Sequence, residues 1–340
     1  MEVNNMSDIK GAVKKRKNKK FFRGFLLFII YEIVIIAVTS PLVLFYGPFT
    51  GVRNMVVGTA MKTFRCQYIA TAFLSKYKID QILNENKSGQ ISESQVQNKG
   101  GVSIEHRGDK GMEEYTIPAT TKFSGYILEI KDPTRIKVGY TKNLGRVGEK
   151  TSEMAKDNGA VAAINGGGFQ DKTSNGELWT GTGAYPDGIV ISEGKSINKD
   201  IAPDEKMSVA AFTSNGKLIV GEHSLSDLLA QNVTEALSFD TPLIINGKTV
   251  SVGPGLNPRT AIGQKIDGTI VMVVIDGRRG VELGASLKEV QTILLQRGVY
   301  NASNLDGGSS STMYFDGEVI NNPCDWNGER TVATAICVEP

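Results

Sequence analysis

The sequence predicts an α+β (mixed α/β) domain. It should be built on curved, largely antiparallel or mixed β-sheets with a few helices, preceded by an N-terminal transmembrane helix. Three observations predict it. Residues 25–45 form an apolar run broken by a single charge, Glu32. Beyond residue 118, short runs rich in β-branched and aromatic residues alternate with Gly, Asn, Asp and Pro turns. Only 147–158, 224–236 and 286–298 carry helical spacing in that region.

Residues 1–24 form a basic tail holding eight of the 38 Lys and Arg against Glu2 and Asp8. The run that follows, FLLFIIYEIVIIAVTSPLVLF, carries one charge, Glu32. As a helix it spans about 31 Å, close to a bilayer's hydrocarbon thickness. Flanking positive charge stays in the cytoplasm, so residues 25–46 predict a single-pass anchor in the cell membrane with the rest of the chain extracellular. A cleaved signal peptide competes with this reading. Its apolar core is shorter, and Ala37-Val38-Thr39 matches a cleavage site poorly.

Residues 47–83 carry Met55, Val56, Ala60, Met61, Phe64, Tyr68, Ile69, Phe73 and Leu74 at three- and four-residue steps, the pattern of a juxtamembrane helical segment. Residues 84–117 are polar and rich in Gly, Ser and Asn, a linker composition. Residues 118–340 then read as one domain. Its strands are expected at 123–130, 135–141, 160–165, 188–194, 207–213, 217–222, 242–247, 269–276, 317–320 and 332–339. The helix at 286–298 opens with Ser286-Leu287-Lys288-Glu289, a capping-box pattern.

Composition narrows the function. Past the tail and the apolar run the chain holds 30 basic and 33 acidic residues, so it has no excess of positive charge for nucleic acid. With 40% hydrophobic and 22% charged residues it is not a disordered chain. Three cysteines cannot staple a domain of this size, and spacing leaves open whether Cys324 and Cys337 pair. No HExxH, CxxC or GxSxG motif occurs, and the two histidines are His106 in the linker and His223 beside a helix start, which speaks against a Ser-His-Asp triad or a histidine-rich metal site.

The chemistry gathers in Gly-rich turns at strand ends. These are AINGGGF (162–169 with its preceding alanine), NPRTAIG (257–263), VVIDGRRG (273–280), NLDGGSSSTM (304–313) and GERT (328–331). Each alone is an ordinary turn. Together they supply Arg259, Arg278 and Arg330, whose planar forks suit a phosphodiester. They also supply backbone amides around Gly166, Gly167, Gly307, Gly308 and Ser309, and the carboxylates Asp276, Asp306 and Glu329. Paired carboxylates are the usual equipment for glycosidic cleavage. Asp276, Asp306 and Asn165 are also hard oxygen donors suited to calcium or magnesium, although no compact ligand loop accompanies them. A binding module that cradles a glycopolymer without turnover, and a transferase on the same substrate, remain alternatives.

The ordered set of motifs, with the terminal GERTVATAICV, resembles the phosphodiester glycosidase family over about 120–340. Ser309 departs from the pattern, since a third glycine is frequent there. The resemblance implies a hydrolase acting on a phosphodiester-linked glycan at the sugar C1–O bond, with no cofactor required. Membrane-anchored members of this kind are associated with exopolysaccharide or cell-wall glycopolymers. The implied catalytic residues are Asp306 as nucleophile or base and Asp276 or Glu329 as its partner. Arg259 and Arg278 would hold the phosphate. Asn165, Gly166, Gly167, Thr260, Gly307, Gly308, Ser309 and Arg330 would complete the substrate site.

Overall fold

A computed structural model describes residues 3–61, 66–84, 97–98, 100–170, 182–198, 201–280 and 282–340, with side chains from residue 22 onward except at 84. The chain opens with the helix Val3–Tyr46. Its segment Phe22–Tyr46 has a mean hydropathy of 2.4 and is, among the described residues, the one helix long and apolar enough to cross a membrane. Gly47-Pro48 breaks it. Three short helices follow, Thr50–Met61, Tyr68–Thr71 and Lys76–Asn84. They bury Val57, Ala60, Ala70, Leu74, Ile79 and Ile82 against Phe45 of the long helix. The segment expected as a juxtamembrane helix is therefore a small helical bundle; Phe64, assigned to it, lies outside the described residues, as do 85–96 and 99 of the expected linker.

The body has three main antiparallel sheets around one core. The first has seven strands in the order Met112–Ile117, Gly125–Ile130, Ile270–Ile275, Arg259–Lys265, Val299–Leu305, Pro242–Ile245 and Lys248–Thr249. The second has five, Leu218–His223, Met207–Thr213, Val233–Ser238, Val190–Ser192 and Lys195–Ser196. The third has Glu318–Val319, Met313–Phe315, Ala162–Asn165, Thr334–Val338 and Ile136–Tyr140. Side chains alternate across a strand, so one strand can feed two cores. Ile270, Met272 and Val274 enter the shared core with Phe212 and Leu237 of the second sheet and Ile164 and Ile336 of the third. Val271, Val273 and Ile275 point the other way, onto Leu287, Val290 and Leu294 of the helix Leu287–Gln296. The Ser286–Glu289 capping box opens that helix as its sequence predicts. The other two sheets each carry one helix on the outer face: Leu228 of Leu225–Ala230, and Met154 of Thr151–Asp157.

Several expectations need correction. Val233–Ser238 is a strand, although 224–236 carries helical spacing. Asn232 has a left-handed backbone (φ 57°) that ends the helix, and Val233-Thr234-Glu235 then pairs with Met207–Thr213. Arg259–Lys265 and Val299–Leu305 are central strands hidden by their polar residues: Thr260, Gln264, Asn301 and Ser303 are fully buried. Met112–Ile117, placed in the linker by composition, is the edge strand of the large sheet, and its exposed Glu113 and Glu114 are what makes it read as polar. Even Gln97 is tied in, accepting from Val220 N and donating to Leu218 O. Cys324 and Cys337 are unpaired; Cys337 is packed among Ala163, Ala335 and Met154, and burial pushes its thiol up to about 12.

Gln264 joins two sheets. Its Oε1 accepts from Leu218 N at 2.7 Å, and its Nε2 donates to Gly216 O and Gly268 O at 2.8 and 3.0 Å. Gln264→Leu keeps the volume and strands three buried backbone groups. It should lower unfolding free energy by about 3 kcal/mol or more, read by chemical denaturation.

Candidate active site

Strand register assembles the candidate site. Arg259 pairs with Ile275, and Thr260 pairs with both Val274 and Leu305. Asp276 and Asp306 each lie one step beyond those partners, so both aspartates emerge at the Arg259 end of the large sheet. Ala162–Asn165 of the third sheet ends at the same place. There Asn165 is fully buried and bonded three ways. Its Nδ2 donates to Asp306 O at 2.6 Å, and its Oδ1 accepts from Thr260 Oγ1 at 2.7 Å and Thr312 N at 3.1 Å.

Asp306 lies at the centre. The residue keeps some accessible surface, but the protein around it is crowded enough that desolvation pushes its pKa up to about 6. Ser310, the Gly307 amide and the charges of Arg330 and Arg278 pull in the opposite direction without overcoming it. Arg278 has a left-handed backbone (φ 59°) and donates from Nη2 to Asn257 Oδ1 at 2.6 Å. Its guanidinium lies over Gly308, whose φ is 65°; a Cβ there would stand 3.1 Å from Arg278 Nη1. Arg330 donates to Ser309 Oγ at 3.2 Å, and its guanidinium carbon lies 5.1 Å from the centre of the Phe169 ring. Two guanidiniums thus lie against the turn that follows Asp306 and their charges act on its carboxylate, an arrangement that can hold an anionic ligand beside a carboxylate oxygen.

The other expected residues stand behind this group or face away. Arg259 is buried and braces two loops, donating to Ala285 O at 3.0 Å and Gly255 O at 2.8 Å. Burial, then the nearby Arg278 charge, bring its pKa down to about 10, so it stays cationic at neutral pH. Thr260 faces Asn165. Asp276 accepts from Asn321 Nδ2 at 2.8 Å and Asn322 N at 3.1 Å, holding that loop; burial raises its pKa. Glu329 turns toward Ser152 and accepts from its amide and hydroxyl at the start of Thr151–Asp157. Its neighbour Arg330 points into the site, as successive side chains on extended backbone do. Gly166 and Gly167 serve packing. Their amides donate to Thr334 O and Thr334 Oγ1, and a Cβ on either would stand 2.5 Å from Thr334 Oγ1 or Ser238 O. Gly307 likewise lets the turn pass Pro258 O, 2.7 Å from where its Cβ would lie. Among the described residues no group of three or more His, Cys, Asp and Glu side chains is placed to hold a metal ion.

The profile of the phosphodiester glycosidases matches residues 158–339, which hold every side chain of this site. The chain belongs to the phosphodiester glycosidase family. Over 218 residues it is 30% identical to an uncharacterized SPbeta prophage-derived protein of Bacillus subtilis, covering 61% of this chain and 31% of that protein. Over 213 residues it is 29% identical to the N-acetylglucosamine-1-phosphodiester alpha-N-acetylglucosaminidase of Bos taurus, covering 55% and 38%. The chain therefore spans about a third of the length of these relatives. The fold is that of the zebrafish enzyme of the same name, solved as a catalytic domain auto-inhibited by its pro-peptide, with a TM-score of 0.62 at 22% identity over 76% of this chain and 93% of that one.

In this member of the phosphodiester glycosidase family, Asn257 and Phe169 meet the two arginines and Ser310 bonds Asp306, although the sequence assigned them no role. All three stand inside the family motifs, so the signal was present. Asn321, which anchors Asp276, carried none.

Two outcomes are expected. Gly308→Ala strains the turn and crowds Arg278, so steady-state kinetics should show kcat/KM down by about 10–100-fold. The raised pKa of Asp306 means the folded protein binds this proton more tightly than the unfolded chain. Stability from it is complete below pH 4 and is lost as pH rises through about 6. Asp306→Asn should therefore raise Tm at pH 7.5 and leave it nearly unchanged at pH 4, where wild-type Asp306 is already neutral.

Proposed function

We propose that the chain is a membrane-anchored extracytoplasmic hydrolase that cleaves a sugar-1-phosphodiester at the C1–O bond. The observation that carries this reading is the Asp306 carboxylate flanked by Arg278 and Arg330. Membership of the phosphodiester glycosidase family supports it, and so does the apolar segment Phe22–Tyr46 behind a basic tail, which favours a cytoplasmic N-terminus. The associated substrate would be a phosphodiester-linked glycan of the cell wall or an exopolysaccharide.

Arg278 and Arg330 neutralise the phosphate, which departs with the C1–O electron pair as a stable anion and needs little protonation. Asp306 works as a carboxylate, either attacking C1 or taking a proton from the water that does. Water supplies the hydroxyl to C1, and its second proton reaches solvent. Enclosure makes the Asp306 anion less stable and so more reactive at neutral pH, while the two arginines limit that penalty. Asn257, Gly308, Ser309 and Phe169 orient the arginines. Arg259, Thr260, Asn165 and Asp276 hold the loops that carry the reacting groups. No step in this scheme requires a metal ion.

The test is release of free sugar from a sugar-1-phosphodiester such as UDP-N-acetylglucosamine, with and without EDTA. Release should survive EDTA, and kcat/KM should rise with pH through about 6 to a plateau. Asp306→Asn should lower kcat by about 10³-fold or more in a folded protein. An active Asp306→Asn protein would refute the assignment, and loss of release in EDTA would make the site metal-dependent.

A further inference from the structure

The helical bundle after the long apolar helix is attached to the site. Gly58 and Gly255 bring two backbones together: a Cβ on Gly58 would stand 2.7 Å from Pro254 O, and one on Gly255 would stand 3.1 Å from Gly58 C. The next residue, Thr59, accepts from Leu256 N at 2.9 Å. This loop leads directly into Asn257, the partner of Arg278, and its Gly255 carbonyl receives Arg259. At the other end the bundle is joined to the apolar helix. Phe45 stacks on Phe73 with ring centres 4.9 Å apart, and Tyr46 donates to Phe73 O.

The body is thus not suspended on a free tether. From Thr50, just past the Gly47-Pro48 break, the site loop is reached at Thr59 within about 14 Å of helix. One face of Thr50–Met61 lines that path. Val52, Met55 and Thr59 recur at helical spacing; Thr59 meets the site loop, while Val52, Met55 and the preceding Phe49 are exposed. Tyr46, Tyr68 and Tyr77 are exposed on the same bundle, and such rings favour a membrane–water interface.

We propose that the substrate is borne by the membrane: a sugar-1-phosphodiester whose aglycone is a lipid. Its glycosyl phosphate would sit between Arg278 and Arg330, and its lipid portion would lie along Phe49, Val52 and Met55 down to the bilayer. This rests on the hydrolase reading above and names its substrate class. A bundle that only tethered the domain would have no need to meet the loop that holds Arg278 through Asn257 and braces Arg259 through Gly255. The exposed apolar stripe begins three residues past the end of the apolar helix, where the bilayer surface lies if that helix spans it. The chemistry is unchanged: the C1–O bond breaks, the lipid phosphate leaves with the electron pair, and water supplies the hydroxyl to C1.

The test uses the full chain reconstituted in phosphatidylglycerol–phosphatidylethanolamine vesicles and two substrates with one glycosyl phosphate. One carries a polyprenyl chain and the other a methyl group. The polyprenyl diester should show at least 10-fold higher kcat/KM. The double variant Val52→Ser, Met55→Ser changes only exposed side chains. It should lose most of that preference, by 10-fold or more, and keep wild-type activity on the methyl diester, which also shows that it folds. Equal kcat/KM on the two diesters, or a variant that loses both activities by one factor, would overturn the proposal. If the stripe instead receives a second copy or another protein, the preference would be absent in the wild type. Cleavage of neither diester would count against the hydrolase reading itself.

Discussion

The buried side chain of Asn165 is the constraint on which the site depends. It stands at the end of a third-sheet strand and reaches Asp306 O and Thr260 Oγ1, both from the seven-stranded sheet, and Thr312 N beyond the 308–310 turn. One amide thereby sets the spacing of two sheets where they meet. A buried amide is costly unless its polar atoms are matched, and here both are matched by groups that must themselves be placed. Close packing depends on it. Gly166 and Gly167 bring the chain against Thr334 and Ser238 with no room for a methyl group, and the Asp306 amide donates to Gly166 O. The position of Asp306 therefore follows from a sheet-to-sheet contact rather than from its own turn.

Around that joint the charges divide into two ranks. Arg259 is fully enclosed and bonds backbone carbonyls, so it braces Gly255 and Ala285. Arg278 and Arg330 stand forward, held by Asn257, Ser309 and the Phe169 ring. Desolvation dominates at Asp306 because the carboxylate is crowded by protein, and two cations moderate the penalty without removing it. The carboxylates divide in the same way. Asp276 and Glu329 are engaged by Asn321, Asn322 and Ser152, which secures loops on either side of the central group.

The connection between the apolar helix and the body bears on how the site meets its surroundings. Composition marks residues 84–117 as a linker, and such a segment would leave the domain free to drift. The Gly58–Gly255 approach and the Thr59–Leu256 hydrogen bond override that freedom. They fix the 254–257 loop to the bundle, and the Phe45–Phe73 stack fixes the bundle to the apolar helix.

Much of this protein was legible in its sequence where the signal is local. Apolar length identified the helix at Phe22–Tyr46. Short β-branched and aromatic runs between turn residues identified strands such as Met207–Thr213 and Ile270–Ile275, and the Ser286–Glu289 pattern identified a helix start, because each rests on neighbours within a few residues. The motif set likewise marked the turns that meet at the candidate site. Only the tertiary structure decided which side chains of those turns face the site. Arg259, Asn165, Thr260 and Glu329 have the same chemistry whether they touch a ligand or a neighbouring strand. Register across sheets and the direction of each side chain made them supports, and left Asp306, Arg278 and Arg330 together. Arg259–Lys265 and Val299–Leu305 went unread for the same reason: buried polar residues are satisfied by partners far along the chain, and no local pattern announces them.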